Sequence, residues 1–319
     1  MIDVKSNVPE IVEWLDLANL HVHSPSDAVL VCGGEQDPGA QAALSLRDAF
    51  LRVTFNPPLS KLKFRLAEET NLYSKSSAYR DWMNFESDLA QICRLVILFC
   101  ESAGSIAELA LFVSVDEIAD RLVIVIDNIN NSADSYINLG PITAFVEQYG
   151  RDRKFLLNLE DVGIKKHSEI ANINLKSLRS VIENFVYQSA TKHQEPRSFM
   201  PDRAGHRIKL ITGLIQHYGA LTIEEIDVLV WSLSLPMTEK QISQYLQCAE
   251  FLEWVKTEER GQKVFWVSLE SSDAIEYALK VGAPTLNKGA WKARVRQYWM
   301  DKQPDRFSAI RSNELRVVL

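Results

Sequence analysis

The sequence predicts an α/β protein: a Rossmann-like parallel sheet with flanking helices, followed by a mostly helical C-terminal winged helix-turn-helix domain. Three observations predict it. Through the first half, short β-branched runs alternate with amphipathic stretches, the pattern of parallel strands joined by crossover helices. Beyond residue 200 the pattern becomes three helical segments followed by two β-rich runs around a glycine turn. Between the halves, "TKHQEPRSFMPDRAG" is rich in proline, glycine and charge, as a boundary would be. The expected organisation is a sheet domain over 1–160, a helical connector over 161–200, a winged-helix-like domain over 201–285 and a basic tail over 286–319.

The elements follow in order. "AVLVCGG" (28–34) reads as a strand ending in a tight glycine turn, and "GAQAALSLRDAF" as the helix after it. "LRVTFNPP" reads as a second strand stopped by prolines. "NFESDLAQICR" (84–94) is helical, with Phe85, Leu89 and Ile92 on one face. "RLVILF" is a buried strand, "SIAELALFVSVDEIA" a helix, "RLVIVID" (121–127) a strand, "PITAFVEQYG" a helix begun by proline and "KFLLNL" a last strand. A polar-faced helical stretch runs over 163–195. Then come "HRIKLITGLIQHYG", "TIEEIDVLVWSL" and "TEKQISQYLQCAEFLEW", the last two opened by threonine caps, and the hairpin "WVKTEERGQKVFWVSL". The third helix, which would enter a DNA groove, offers only Lys240 beside Glu239, with Glu250 and Glu253 further on, so it suits a protein contact as well as a base-reading one.

At 319 residues, 46% hydrophobic and 24% charged, the chain can bury ordinary cores in about two domains. The opening "MIDVKSNVPEIVEW" lacks a basic-then-apolar signal pattern, and no apolar run approaches the roughly 20 residues of a membrane span, so a cytoplasmic protein with no membrane contact is expected. Cys32, Cys93, Cys100 and Cys248 lack metal-ligand spacing, which predicts free thiols and neither disulfide nor zinc site. The net charge of −7 is uneven: the first 200 residues hold 19 basic against 27 acidic side chains, the rest 16 against 15. Within 286–319 eight basic residues face three acids, which suggests an anionic neighbour for Lys292, Arg294 and Arg296. Trp291, Tyr298 and Trp299 lie among them, either as stacking surfaces for nucleic acid or as core.

In an open parallel sheet, ligands sit beyond the carboxyl ends of the strands. Three features are predicted to converge there: Gly33 and Gly34 after the first strand, "CESAGSIAELA" with Glu101 and Glu108 after "RLVILF", and Asn128 with "SYINLGP" after "RLVIVID". The glycines permit close approach of backbone to a phosphate or ribose. "GGEQDPG" is not the GxGxxG fingerprint, so nicotinamide redox chemistry is not inferred. Two readings of Glu108 stay open. If the helix starts at Ser105, Glu108 completes a capping box; in that first turn the macrodipole would also favour its ionised form by roughly 0.3–1 kcal/mol. Alternatively it is a nucleophile that meets an oxocarbenium-like transition state and collapses to a glycosyl ester. Glu86 and Asp88 in "NFESDLAQ" reach the same crevice only if their helix points its start that way.

"VLVCGGE", "NFESDLAQICRLVILFCESAGSIAELALF" and "RLVIVIDNINNSADSYINLGPI", over about 28–146, together resemble the effectors of retrons that carry a nucleoside 2-deoxyribosyltransferase-like domain. Retrons are antiphage systems pairing a toxin with a reverse transcriptase and its DNA–RNA product. The resemblance implies that 1–160 is the catalytic domain, that Glu108, in "GSIAELA", is the catalytic carboxylate, and that the "INxGP" element falls on Ile137, Asn138, Gly140 and Pro141. Ala110 stands where the family commonly has glycine, and Ala103 where proline is common. The activity implied is cleavage of an N-glycosidic bond by an N-glycosidase, with NAD or a related nucleotide as substrate and no resident cofactor. Gly33, Gly34, Ser105 and Asn138 would line the substrate, and Glu101 and Glu86 would orient sugar hydroxyls. The implied partners are the retron reverse transcriptase and its msDNA, holding the toxin in check, and further copies of this chain in a homo-oligomer. The competing expectation is a nucleotide-sensing, winged-helix DNA-binding regulator without turnover, whose duplex binding would weaken with salt.

Overall fold

The computed structural model describes residues 11–70, 77–132, 134–192, 196–283 and 287–317. They form two compact units: a sheet unit of Asp27–Thr70 and Cys93–Gln194, and a second unit of Met1–Ser26, Asn71–Ile92 and Glu195–Leu319. This interleaving departs from the contiguous stretches expected from sequence. The segment 71–92 goes with the C-terminal half, and the expected connector belongs to the sheet unit through Gln194.

The sheet unit holds strands β1 (Ala28–Cys32), β2 (Lys63–Arg65), β3 (Leu95–Phe99), β4 (Leu122–Asp127) and β5 (Lys154–Leu157). Their order is β2-β1-β3-β4-β5 and every pairing is parallel. Direction of winding reverses between β1 and β3, which makes that gap the topological switch point. Every residue of β1, β3 and β4 is buried, as continuous apolar runs covered on both faces require. On one face Val29, Val31, Ile97, Phe99, Val123 and Val125 pack with helices α1 (Leu46–Val53) and, later in the chain, Leu175–Thr191, whose Leu178, Ile182, Val186 and Ala190 repeat every four residues. That apolar stripe is why the helix joins the sheet unit.

"LRVTFNPP" is not a strand. Leu46, Ala49, Phe50 and Val53 are buried at helical spacing, and Ser45 caps the helix by accepting the Asp48 N–H at 2.9 Å, so α1 runs on through Val53. The strand expected there lies twelve residues later, at Lys63. After β3 comes α2 (Ala103–Ser114); after β4 a wide turn over Asn138–Ile142, containing Pro141, leads into α3 (Thr143–Tyr149). The helix Leu175–Thr191 is α4.

In the second unit α5 (Ala204–Tyr218) is followed by the short strand Ala220–Leu221, α6 (Ile223–Ser232), α7 (Glu239–Phe251) and the antiparallel strands β6 (Val255–Arg260) and β7 (Lys263–Ser268). β7 pairs with both β6 and Ala220–Leu221. Thr222 with Glu225, and Thr238 with Gln241, form the capping boxes that start α6 and α7. The segment 77–90 lies on α7. Gln247 Oε1 accepts the Ala78 N–H at 2.8 Å, Tyr79 Oη meets Cys248 Sγ at 3.2 Å and donates to Asp88 Oδ2 at 2.7 Å, and the Phe85 and Phe251 rings meet edge to face.

The basic C-terminal stretch is folded. It forms α8 (Lys288–Lys302) and α9 (Pro304–Val317). Trp291, Val295 and Trp299 recur every four residues and are buried, so these rings are core. Arg306, fully buried, pairs with Glu225, donates to the Ala220 carbonyl at 3.1 Å and lies over the rings of Trp299 and Phe265 at 4.1 and 5.0 Å. The four cysteines are buried and none is in a disulfide. Among the described residues no helix is long and apolar enough to cross a membrane.

Candidate active site at the carboxyl end of the sheet

Chain order explains where the acids go. β3 ends at Phe99, and Cys100 and Glu101 emerge beside the switch point. Glu101 is committed there: its Oε1 accepts the N–H groups of Gly34 at 3.1 Å and Arg47 at 2.9 Å, and its Oε2 accepts that of Leu46 at 2.6 Å. With Ser45 holding the Asp48 N–H, the first three donors of α1 are occupied by the chain itself. Burial pushes the Glu101 carboxyl up, and the three backbone donors pull against that rise.

This contact also sets the glycine pair. A Cβ on Gly34 would come within 2.9 Å of Glu101 Oε1 and 2.7 Å of the Ser45 Cβ. Gly33 has φ of +151°, and a Cβ there would meet the Phe99 Cβ at 2.8 Å. Gly33 and Gly34 therefore serve internal packing, with the Gly34 N–H taken by Glu101. A phosphate contact at this turn and a sugar contact by Glu101, both expected from sequence, would compete with these bonds.

The start of α2 also differs from expectation. Ser102, not Ser105, is the N-cap; its hydroxyl accepts the Ser105 N–H at 3.1 Å, and the fully buried Ser105 hydroxyl accepts the N–H of Ser102 at 2.9 Å and of Glu101 at 3.1 Å. Ser105 thus closes the capping box itself. Glu108 falls in the second turn, which removes the capping reading for it. Its Oε2 is buried and has no hydrogen-bond partner among the described residues. Burial pushes the Glu108 carboxyl up to about 7; the nearby Arg47 guanidinium lowers it and Glu68 raises it. Desolvation outweighs the helix dipole, so the expected bias toward the ionised form is reversed.

Arg47 and Glu68 were not singled out from sequence. They form an ion pair at 2.7 Å, with Arg47 almost fully buried and Glu68 half exposed. No sequence motif marks them: Arg47 is the second residue of α1, and Glu68 lies in the turn after β2.

A second group sits past β4. Asp127, fully buried, ends the strand; its Oδ1 accepts the N–H groups of Ile129 at 2.9 Å and Asn130 at 3.0 Å, and its Oδ2 accepts Asn130 Nδ2 at 2.8 Å and His167 Nε2 at 3.0 Å. An acid closing the apolar run "LVIVID" is the signal that could have found Asp127; nothing local marks His167. Asn128 ties its Oδ1 to the Leu159 N–H at 2.9 Å. Asn138 accepts Lys154 Nζ at 3.2 Å, which also donates to Asn131 at 2.6 Å, and burial lowers that ammonium.

The two groups meet electrostatically at Cys100. Its thiol is pushed up to about 12, first by burial, then by Glu108 and Glu101, with Asp127 adding to the rise and Lys154 opposing it. Glu101, Glu108, Asp127 and Lys154 thus share one neighbourhood at the end of β3. Glu86 is half-buried on the helix Trp82–Ala90 of the second unit. Lys292, Arg294 and Arg296 also belong to the second unit. There Lys292 pairs with Asp273 at 3.2 Å, Arg296 lies over the Phe307 ring at 5.6 Å and Arg294 is exposed.

No curated protein matches this sequence. Residues 43–257, about two thirds of the chain, match the family described as STM3845 retron effector protein. The match runs from the helix that Glu101 caps, through Glu108, Asp127 and His167, to the first strand of the hairpin, and the chain belongs to this family of retron effectors.

Proposed function

We propose that this retron effector is an antiphage toxin that cleaves the N-glycosidic bond of NAD or a related nucleotide, with Glu108 as nucleophile. The observation that carries the reading is the Glu108 Oε2: a desolvated carboxyl oxygen with no partner among the described residues, beside the switch point of a parallel sheet. Buried polar atoms without partners are rare in folded proteins and call for a cause. A carboxyl held near 7 is a stronger nucleophile than an ordinary glutamate, and a substrate that brings positive charge ionises it on binding. The nicotinamide ribosyl group of NAD is such a substrate, and its base departs without protonation; a neutral purine would need an acid. The Arg47–Glu68 pair flanks Glu108 and tunes its charge. Asn138 accepts Lys154 Nζ, and the Asn138–Ile142 turn carries Asn138, Gly140 and Pro141 of the "INxGP" element.

The second unit is assigned to restraint. Helix, short strand, two helices and a hairpin, with β7 central in its small sheet, is the element order of a winged helix. Its third helix, α7, is covered by the segment 77–90, which favours protein contact over groove reading and disfavours the DNA-binding regulator. Family membership implies association with retron components, here assigned as the reverse transcriptase and msDNA, in a homo-oligomeric assembly.

The test is to incubate the purified protein with NAD, with nucleosides and with nucleotides, and to follow base release beside Glu108→Gln. Release from NAD by wild type and its loss in the variant are expected. Equal release by both excludes Glu108 as nucleophile, and release from neutral nucleosides alone excludes NAD.

A further inference from the structure

The Asp127–His167 pair has the geometry of a base held by an orienting acid. Asp127 is fully buried and both its oxygens act as acceptors, so the imidazole Nε2 carries the proton it shares with Oδ2 at 3.0 Å. In the neutral ring the lone pair is then on Nδ1, which has no hydrogen-bond partner among the described residues, and the His167 side chain is 41% exposed. The turn at Ile129 and Asn130 uses Asp127 Oδ1 and does not require the histidine. His167 comes from forty residues away to make this contact, at the head of the short helix His167–Asn172 beyond β5. Asn130 Nδ2 bridges Asp127 Oδ2 at 2.8 Å and the Cys100 carbonyl at 3.4 Å, and the Cys100 thiol feels both Asp127 and Glu108. Asp127 and Asn130 therefore stand at the end of β3, beside the Cys100 carbonyl.

We propose that His167, oriented by Asp127, is the general base that activates the water attacking the glycosyl–Glu108 ester. The inference rests on Glu108 being the nucleophile, and assigns the second half of that reaction. In that step the water oxygen bonds to the anomeric carbon while the bond from that carbon to the Glu108 oxygen breaks. The water proton passes to His167 Nδ1 and then to solvent, and Glu108 is regenerated as a carboxylate. No oxidant or reductant enters. A histidine serves here, rather than the leaving-group step, because nicotinamide departs unprotonated.

The experiment is rapid-quench base release from NAD by the full chain, with wild type, His167→Gln and Asp127→Asn, with and without added azide. For His167→Gln the expected result is an undiminished burst of about one nicotinamide per active site, followed by turnover reduced roughly 10²- to 10⁴-fold. Azide, a nucleophile that needs no deprotonation, should restore turnover as glycosyl azide. Asp127→Asn should show the same split less severely, and its thermal midpoint separates a folding defect from a chemical one. Unchanged steady turnover in His167→Gln overturns the proposal, as does loss of the burst or absence of azide rescue. Absence of base release from wild type overturns instead the reading of Glu108, and the proposal with it.

Discussion

Glu101 Oε2 accepts the Leu46 N–H at 2.6 Å, so the anion at the head of α1 is a side chain of the same protein. In dinucleotide-binding sheets that helix end takes a phosphate. Here a carboxylate one strand away fills it and stitches β3 to the β1–α1 turn.

Replacing Glu101 by glutamine should therefore weaken the fold before it affects chemistry. Glutamine offers one acceptor oxygen where three N–H groups converge, and hydrogen bonds to a charged acceptor are worth about 1.5–3 kcal/mol each. Urea unfolding should register a loss of that order; an unchanged midpoint would mean the three bonds are dispensable.

Glu108 makes stability depend on pH. Its folded-state value of about 7 lies above that of an unfolded glutamate. The folded chain therefore holds this proton more tightly. The associated stability is full below the unfolded value, about 4.3, and is lost as pH rises through about 7. The urea midpoint of wild type should fall from about pH 5 to about pH 8 relative to Glu108→Gln, which has no such proton. Parallel curves for the two proteins would place the titration elsewhere.

The Arg47–Glu68 pair should tune the same group in opposite directions. Arg47 lowers the Glu108 value and Glu68 raises it. Removing the positive charge in Arg47→Gln should move the midpoint of the activity–pH profile up, whereas Glu68→Gln, which frees Arg47 to act on Glu108 alone, should move it down. Carboxyl chemical shifts from labelled glutamate give the same readout without turnover. Shifts of equal sign in the two variants would contradict the arrangement.

The C-terminal basic stretch should fail as a removable tail. Arg306 is buried against Glu225 and two aromatic rings, and breaking a buried pair by removing one partner costs about 3–5 kcal/mol. Arg306→Ala should lower thermal stability sharply, and Arg306→Met combined with Glu225→Met should recover part of the loss. Retention of the wild-type midpoint by Arg306→Ala would rule out the clamp. Exposed Arg294 is the position at which to test partner binding without disturbing the core.

Parallel strands and capped helices were legible because each carries its own local signal: unbroken apolar runs for β1, β3 and β4, and Thr222 and Thr238 ahead of α6 and α7. The second strand was misplaced because "LRV" has β-branched character, and its helical role shows only when Leu46 and Phe50 are counted with Val53 on one buried face. The interleaved units were not legible, since they depend on contacts such as Gln247 with Ala78, far apart in sequence. At the candidate site, the resemblance singled out Glu108. Its lack of a partner was not legible, because the cap belongs to Ser102 and Ser105, three residues upstream of where spacing suggested. Arg47, Glu68 and His167 come from separate loops and helices, and only folding assembles them.

The most direct measurement is intact-mass analysis and peptide mapping of the protein quenched during turnover of NAD. Wild type should carry a glycosyl increment on the peptide containing Glu108, and Glu108→Gln should carry none while releasing no base. Base release by the variant at the wild-type rate, or an increment mapped to another residue, would contradict nucleophilic catalysis at Glu108.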